Sequence, residues 1–311
     1  MSSTDFEPAP ASAPEAGPAP SVPGRRFPRR YVAFGVIIVA IALLGTLVLV
    51  RDNYSPPSSP TTETFSAAPS SLLTTVASVP VYDAVGVSSL ANPITPLRAT
   101  TGSGSAPAPM WRARVNNGPA EPVVYFYGAE FAPYAAAERW PLVLALSRFG
   151  TFRQLGLTQS SSTTAFANIS TFTFYDKYYT SKYVILESVE RYSSLDPTGA
   201  SYLSLQTPDE RQRLAVTNYA TSPTTFPLLD VANRWVLNGA GFTPGVLMGL
   251  SQDEIAGDLS SAASPLTQAV VSAANEITAT ICAVDGQKPG SVCESRGVLA
   301  ADQVLKITPS A

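Results

Sequence analysis

"VVYFYGAEFAPYAAAERWPLVLALSRFGTF", residues 123–152, decides how the folded part of this chain is read. Its first seven residues, "VVYFYGA", are a short apolar run stopped by Gly128, the pattern of a strand buried on both faces. From Tyr134 onward the good helix formers Ala135, Ala136, Ala137, Glu138 and Arg139 follow, and Trp140, Val143 and Leu144 share one helical face. The order is strand, tight turn, helix, and the turn carries "EFAPYA", residues 130–135.

Downstream, "STFTFYDKYYTSKYVILESVE" (170–190) predicts two strands with a polar connection, first alternating at Phe172 and Phe174, then β-branched at Val184 and Ile185. In "TPDERQRLAVTNYA", Thr207, Pro208 and Glu210 predict a capped helix start. "TTFPLLDVANRWVLNG" (224–239) reads as strand, turn at Ala232-Asn233, strand. Ser251 with Glu254 caps a further helix, and Ser264-Pro265 opens a longer one ending near Cys282. Alternating helices and strands predict an α/β class, in its α+β variant, around one mixed sheet.

The flanks are of another kind. Residues 31–50, "YVAFGVIIVAIALLGTLVLV", carry no charge and follow Arg25, Arg26, Arg29 and Arg30. As a helix this run would span roughly 30 Å, the hydrocarbon thickness of a bilayer. The cationic side stays in the cytoplasm, so the chain after Arg51 is expected outside, in a single-pass arrangement. A cleaved signal peptide is the alternative; the long apolar run and the lack of a small-residue site favour an uncleaved anchor. The Pro/Ala/Ser-rich residues 1–30 form an expected disordered cytoplasmic tail. Residues 51–118 form an expected linker, of which the apolar 77–92 could pack back on the domain at 119–311.

Composition removes several functions. The chain of 311 residues has no histidine, which excludes Ser-His-Asp and Cys-His sites and histidine-based zinc centres. No phosphate-cradling glycine loop stands between a strand and a helix, so neither a nucleotide nor a dinucleotide cofactor is expected, and no metal. With a net charge of −3 and its one basic cluster beside the apolar run, the chain gives no sign of a nucleic-acid partner. Cys282 and Cys293, both expected outside, suit a structural disulfide worth roughly 3 kcal/mol.

The turn resembles that of an uncharacterised prokaryotic thioredoxin-like family, a domain-of-unknown-function group with the pattern G-A-E-Y-C-P-Y-C-A-A-E-R-W. Gly128, Ala129, Glu130, Pro133, Tyr134, Ala136, Ala137, Glu138, Arg139 and Trp140 match it. "TFTFYDKYYTSKY", "FPLLDVANRW" and "EIAGDL" extend the likeness over about residues 119–293. The resemblance implies a thioredoxin-like mixed sheet flanked by helices, and a cis Phe226–Pro227 bond facing the turn. The departure is Ala132 and Ala135, which stand where the family has its two cysteines, whether by descent or by deliberate replacement. Without a thiolate the family's disulfide chemistry cannot run there.

These residues therefore predict a membrane-anchored, redox-silent binding module for a peptide or an envelope protein. Its degenerate turn is Ala132, Pro133, Tyr134 and Ala135, and its groove is Glu130, Phe131, Tyr134 and Phe226 beside Pro227. Glu130 and Glu138, without a thiol to serve, read as hydrogen-bond or ion-pair partners, with Arg139 a candidate. The competing readings are an extracytoplasmic thiol oxidoreductase acting through Cys282 and Cys293, and an envelope scaffold.

Overall fold

The computed structural model describes residues 63–82, 84, 95–96, 110–115, 118–194 and 202–307. The expected tail 1–30, the expected span 31–50 and much of the linker lie outside these residues. Among the described residues no helix is long and apolar enough to cross a membrane. Two compact units divide the chain at Thr61/Thr62, and the described residues belong to the second.

In chain order the elements are β1 (Ser66–Ala67), α1 (Ser70–Ala77), β2 (Thr95–Pro96), β3 (Arg112–Arg114) and β4 (Ala120–Gly128). Then come α2 (Pro133–Ser147), β5 (Gly150–Gln159), β6 (Ser170–Ser181), β7 (Ile185–Glu190) and α3 (Glu210–Tyr219). The chain closes with β8 (Leu228–Val231), β9 (Trp235–Asn238), a short turn at Pro244–Leu247, α4 (Gln252–Asp258), α5 (Pro265–Asp285), α6 (Gly290–Cys293) and α7 (Arg296–Leu305). The class is mixed α/β, with seven α-helices among the described residues.

β4 is the hub of the larger sheet. It pairs in parallel with β7, from Val123 opposite Ile185 to Gly128 opposite Glu190. It pairs antiparallel with β8, Tyr125 opposite Asp230, and its first residues pair with β3. β8 and β9 form a hairpin whose turn residues, Ala232 and Asn233, both take positive φ, 56° and 55°. Such φ values match the mirror-image turns that suit the twist of a hairpin. β9 in turn pairs with β2.

One mixed sheet was expected; among the described residues there are two sheets, a mixed one of six strands and an antiparallel one of three. β5, unrecognised from its sequence, pairs with β6 into a hairpin that stands between α2 and β7, with β1 on its outer edge. Its buried residues, Phe152, Leu155 and Thr158, recur every third position instead of every second, and Gly150 and Gly156 dilute its strand signal. Gly156 has a reason of its own: a Cβ there would stand 3.0 Å from the Phe65 Cβ.

The core also reaches back beyond Pro119, the expected start of the domain. Leu72 and Val76 of α1, with Val79, Ala84 and Trp111, are buried in the same cluster as Phe126 and Trp140. Residues once read as linker therefore supply apolar surface that the sheet would otherwise expose. At the far end, Asn275 of α5 donates to the carbonyls of Tyr82 and Ala84, both at 2.9 Å. Gly297 of α7 lies so close to the Tyr82 carbonyl that no side chain fits there.

α3 begins two residues later than Thr207-Pro208 suggests. Asp209 is its cap, accepting from the Gln212 backbone at 2.8 Å while the Gln212 side chain accepts from the Asp209 N–H at 3.0 Å. Residues up to Gln206 are still held in extended pairing, the Gln206 N–H donating to the Glu190 carbonyl at 3.1 Å, so the chain is not free to turn earlier. Ser251/Glu254 and Ser264 do cap α4 and α5.

Candidate functional site

The turn follows directly from the end of β4. Arg191 N–H donates to the Gly128 carbonyl at 2.7 Å and Glu130 N–H to the Tyr192 carbonyl at 2.8 Å, so the turn is tied to the segment after β7. Ala132 is the N-cap of α2 and offers no side-chain acceptor; Pro133 takes the first helical position. Ala135 is completely buried and Ala132 almost so, while Pro133 and Tyr134 are half-buried. Neither Ala132 nor Ala135 carries a nucleophile.

Beneath it lies an ionic cluster, fully enclosed. The guanidinium of Arg139, nearly two turns into α2, forks onto Glu190, Nε to Oε1 at 3.0 Å and Nη2 to Oε2 at 2.7 Å. Its Nη2 also lies 3.1 Å from Glu130 Oε2, and none of the three side chains is exposed. Thr173 Oγ1 donates to Glu130 Oε1, and Phe174 N–H donates to Glu190 Oε1 at 3.2 Å. Gly128 permits the approach, since a Cβ there would come within 2.9 Å of Glu190 Oε2. Burial pushes the Glu130 carboxyl well above the usual range, Arg139 opposes this, and Glu190 reinforces it. The Arg139 guanidinium is thus shared between two carboxyl groups, forked onto Glu190 and in contact with one oxygen of Glu130. Glu130, expected in the groove, is completely buried and faces Arg139 and Thr173.

Glu138 took the other course. Its Oε2 accepts from the Gly241 N–H at 3.0 Å, and its Oε1 has no partner. Burial, with a smaller push from Glu276, raises its pKa to about 8. Arg139, expected as a partner for either glutamate, is committed to Glu130 and Glu190.

Above the turn is an aromatic seat. The Phe226–Pro227 bond is cis, and the Phe226 ring lies 5.2 Å from Tyr127, 5.8 Å from Phe131 and 6.1 Å from Tyr192. Tyr134 meets the edge of Phe166 at 5.9 Å. Tyr202 lies flat on Phe131, with ring centroids 4.1 Å apart and planes 7° from parallel. Of the expected groove residues, Phe131 and Phe226 meet edge to face, with Phe226 itself almost fully covered, whereas Tyr134 packs on Phe166. The aromatics from Phe166 to Tyr192 read in the sequence as core or as a partner surface, whereas Tyr202, Thr173 and Glu190 went unnoticed. Glu190 alone left a trace, as the charged residue that closes β7.

Cys282 and Cys293 form a disulfide, with Cα atoms 5.7 Å apart and both residues inaccessible to solvent. They join α5 to α6, and neither takes part in the contacts of the turn. Among the described residues no three His, Cys, Asp or Glu side chains converge as metal ligands.

Residues 116–283 match the family described as "Domain of unknown function (DUF929)". The match covers more than half of the chain, and the chain belongs to that family. No curated protein and no solved structure matches it.

Proposed function

We propose that this chain is a redox-silent thioredoxin-like domain that holds an extended peptide or protein segment at the turn formed by residues 130–135. The observation that carries the reading is the placing of Ala132 and Ala135 at the start of α2, directly after Phe131, whose ring meets Phe226 of the cis Phe226–Pro227 bond. The strand order β7-β4-β8-β9, a parallel pair extended by an antiparallel hairpin and flanked by helices, suits a thioredoxin-like sheet into which the β5–β6 hairpin has been inserted. Half-exposed aromatics at the carboxyl ends of parallel strands are a common setting for ligand capture.

On the strength of the uncharged run at 31–50 and the arginines before it, we place the domain outside a membrane, held by a single span. The disulfide agrees with an oxidising setting. Exchange through Cys282 and Cys293 is the weaker reading, because a thiolate must reach a sulfur that here is buried.

The test is a screen of immobilised extended peptides against the purified domain, repeated with Tyr134→Glu. The variant should lose the bound set at unchanged thermal stability, since Tyr134 is only half-buried. Equal binding by both proteins would remove the turn from consideration.

A further inference from the structure

The seat at the turn is not empty in the resting chain, and its occupant indicates what it accepts. Residues 203–206 run antiparallel to the chain that continues β7. Ser193 N–H donates to the Leu203 carbonyl at 2.9 Å, Leu205 N–H to the Arg191 carbonyl at 3.1 Å, and Gln206 N–H to the Glu190 carbonyl at 3.1 Å. Tyr192 and Ser204 face each other across this pairing. It is a short added strand, placed where β4 and β7 end at Gly128 and Glu190.

Tyr202 leads this strand, and its ring covers Phe131 at 4.1 Å, with Tyr192 and Phe226 completing the walls. Its hydroxyl reaches Ser161 Oγ at 3.1 Å and Thr163 Oγ1 at 3.5 Å. The Ser161 N–H in turn donates to the Phe131 carbonyl at 3.0 Å, which fixes this polar end of the seat to the turn. Side chains hold the strand as well: Gln206 accepts from the Glu190 N–H at 2.7 Å and donates to the Tyr175 carbonyl at 3.2 Å, and the Ser193 hydroxyl accepts from the Leu203 N–H at 2.9 Å. From Tyr202 to Gln206 no side chain is fully buried, and Ser204 is exposed. Backbone bonds, with one aromatic side chain set in a pocket, are the means by which extended peptides add to sheet edges.

Resting on the binding reading above, we infer that Tyr202 is a built-in stand-in for the ligand. The partner is an extended segment presenting a tyrosine, which occupies the Phe131 seat when Tyr202 leaves it. The stack selects an aromatic ring, and the paired hydroxyls of Ser161 and Thr163 favour tyrosine over phenylalanine. Resting occupancy by Tyr202 lowers the apparent affinity for the partner by the fraction of molecules in which the seat is closed.

The probe is the capped peptide of the chain's own sequence at 201–207, SYLSLQT, and its counterpart with alanine in place of the tyrosine. Binding is measured by calorimetry to the wild-type domain, to Tyr202→Ala, and to Tyr202→Ala combined with Phe131→Ser. The tyrosine peptide should bind Tyr202→Ala about tenfold more tightly than wild type, and the alanine peptide and the double variant should show no binding. Equal affinity for wild type and Tyr202→Ala, or equal binding of the two peptides, would overturn the inference. If Tyr202→Ala does not fold, Tyr202→Phe takes its place. It keeps the stack and loses the hydroxyl contact, so a roughly threefold gain supports the stand-in role and no gain rejects it. Peptide capture that depends on Tyr134 but ignores every change at Tyr202 sinks this inference alone. Absence of any peptide capture at the turn sinks the binding reading with it.

Discussion

Glu130 and Glu138 flank the same turn and are equally hidden from water, yet the protein treats them in opposite ways. Glu130 sits in an ionic cluster with Arg139, Glu190 and Thr173, each oxygen facing a partner group. Glu138 has one backbone donor and no cation, and remains a neutral acid near pH 7. A buried carboxyl is tolerated either by a matched counter-charge or by holding its proton, and the two solutions fail under different stresses. The first is sensitive to losing its partner, the second to rising pH.

The strongest way to break the contrast is Arg139→Met. Two carboxyl groups would be left facing each other in the interior, at a cost of about 3–5 kcal/mol. A domain of ordinary stability, about 5–15 kcal/mol, would be left marginal or unfolded, as urea titration would show. Arg139→Lys should not restore it, because a single ammonium cannot reproduce the fork onto Glu190. A loss below about 1 kcal/mol would mean the cluster is not the support described here.

The next effect is on the Glu138 side and concerns pH. Its folded pKa of about 8 lies above that of the unfolded chain, so between roughly pH 4.5 and 8 the folded state holds a proton that the unfolded state has released. Stability should therefore fall as pH rises through this window and level off above it. Glu276 and Asp230, each raised by burial to about 7, act in the same direction. Melting temperatures from pH 5 to 9 should decline for the wild type and decline less for Glu138→Gln, each pKa unit removed being worth at most about 1.4 kcal/mol. Parallel profiles for the two proteins would contradict the assignment.

Much of this contrast was out of reach of the sequence. Local patterns were readable where neighbours along the chain settle the conformation: the Ala232-Asn233 hairpin, the Ser251/Glu254 cap and the Ser264-Pro265 helix start. The strand-turn-helix around residue 130 was readable for the same reason. What failed depends on partners far along the chain. Glu190 meets Arg139 from 51 residues away, and no spacing rule links them. β5 is a strand because β6 and β1 pair with it, not because of its own composition. Tyr202 lies in a polar stretch whose role follows only from its stack on Phe131.

The smallest effect refines the Glu130 side. Thr173→Val keeps the shape of the side chain and removes the hydroxyl that donates to Glu130. The expected loss is about 1 kcal/mol, rising toward about 3 kcal/mol if the freed oxygen stays unsatisfied. A Thr173→Val protein as stable as the wild type would show that Arg139 alone supports Glu130.

The clasp at Tyr82 has a mechanical consequence. Asn275 and the side-chain-free space at Gly297 hold the first residues of the compact unit against its last helices. A pull on the chain at Thr62 meets the Glu63 carboxylate, which accepts from the Ser194 N–H at 3.0 Å, and then the two-residue ladder of β1 on β5. Those catches are short and would release first. α1, seated in the core by Leu72 and Val76, would hold next and Tyr82 after it, and through α5 the load would pass to the disulfide-closed end. Stretched from its N-terminal end, the domain would lengthen in steps and keep its seat until the last.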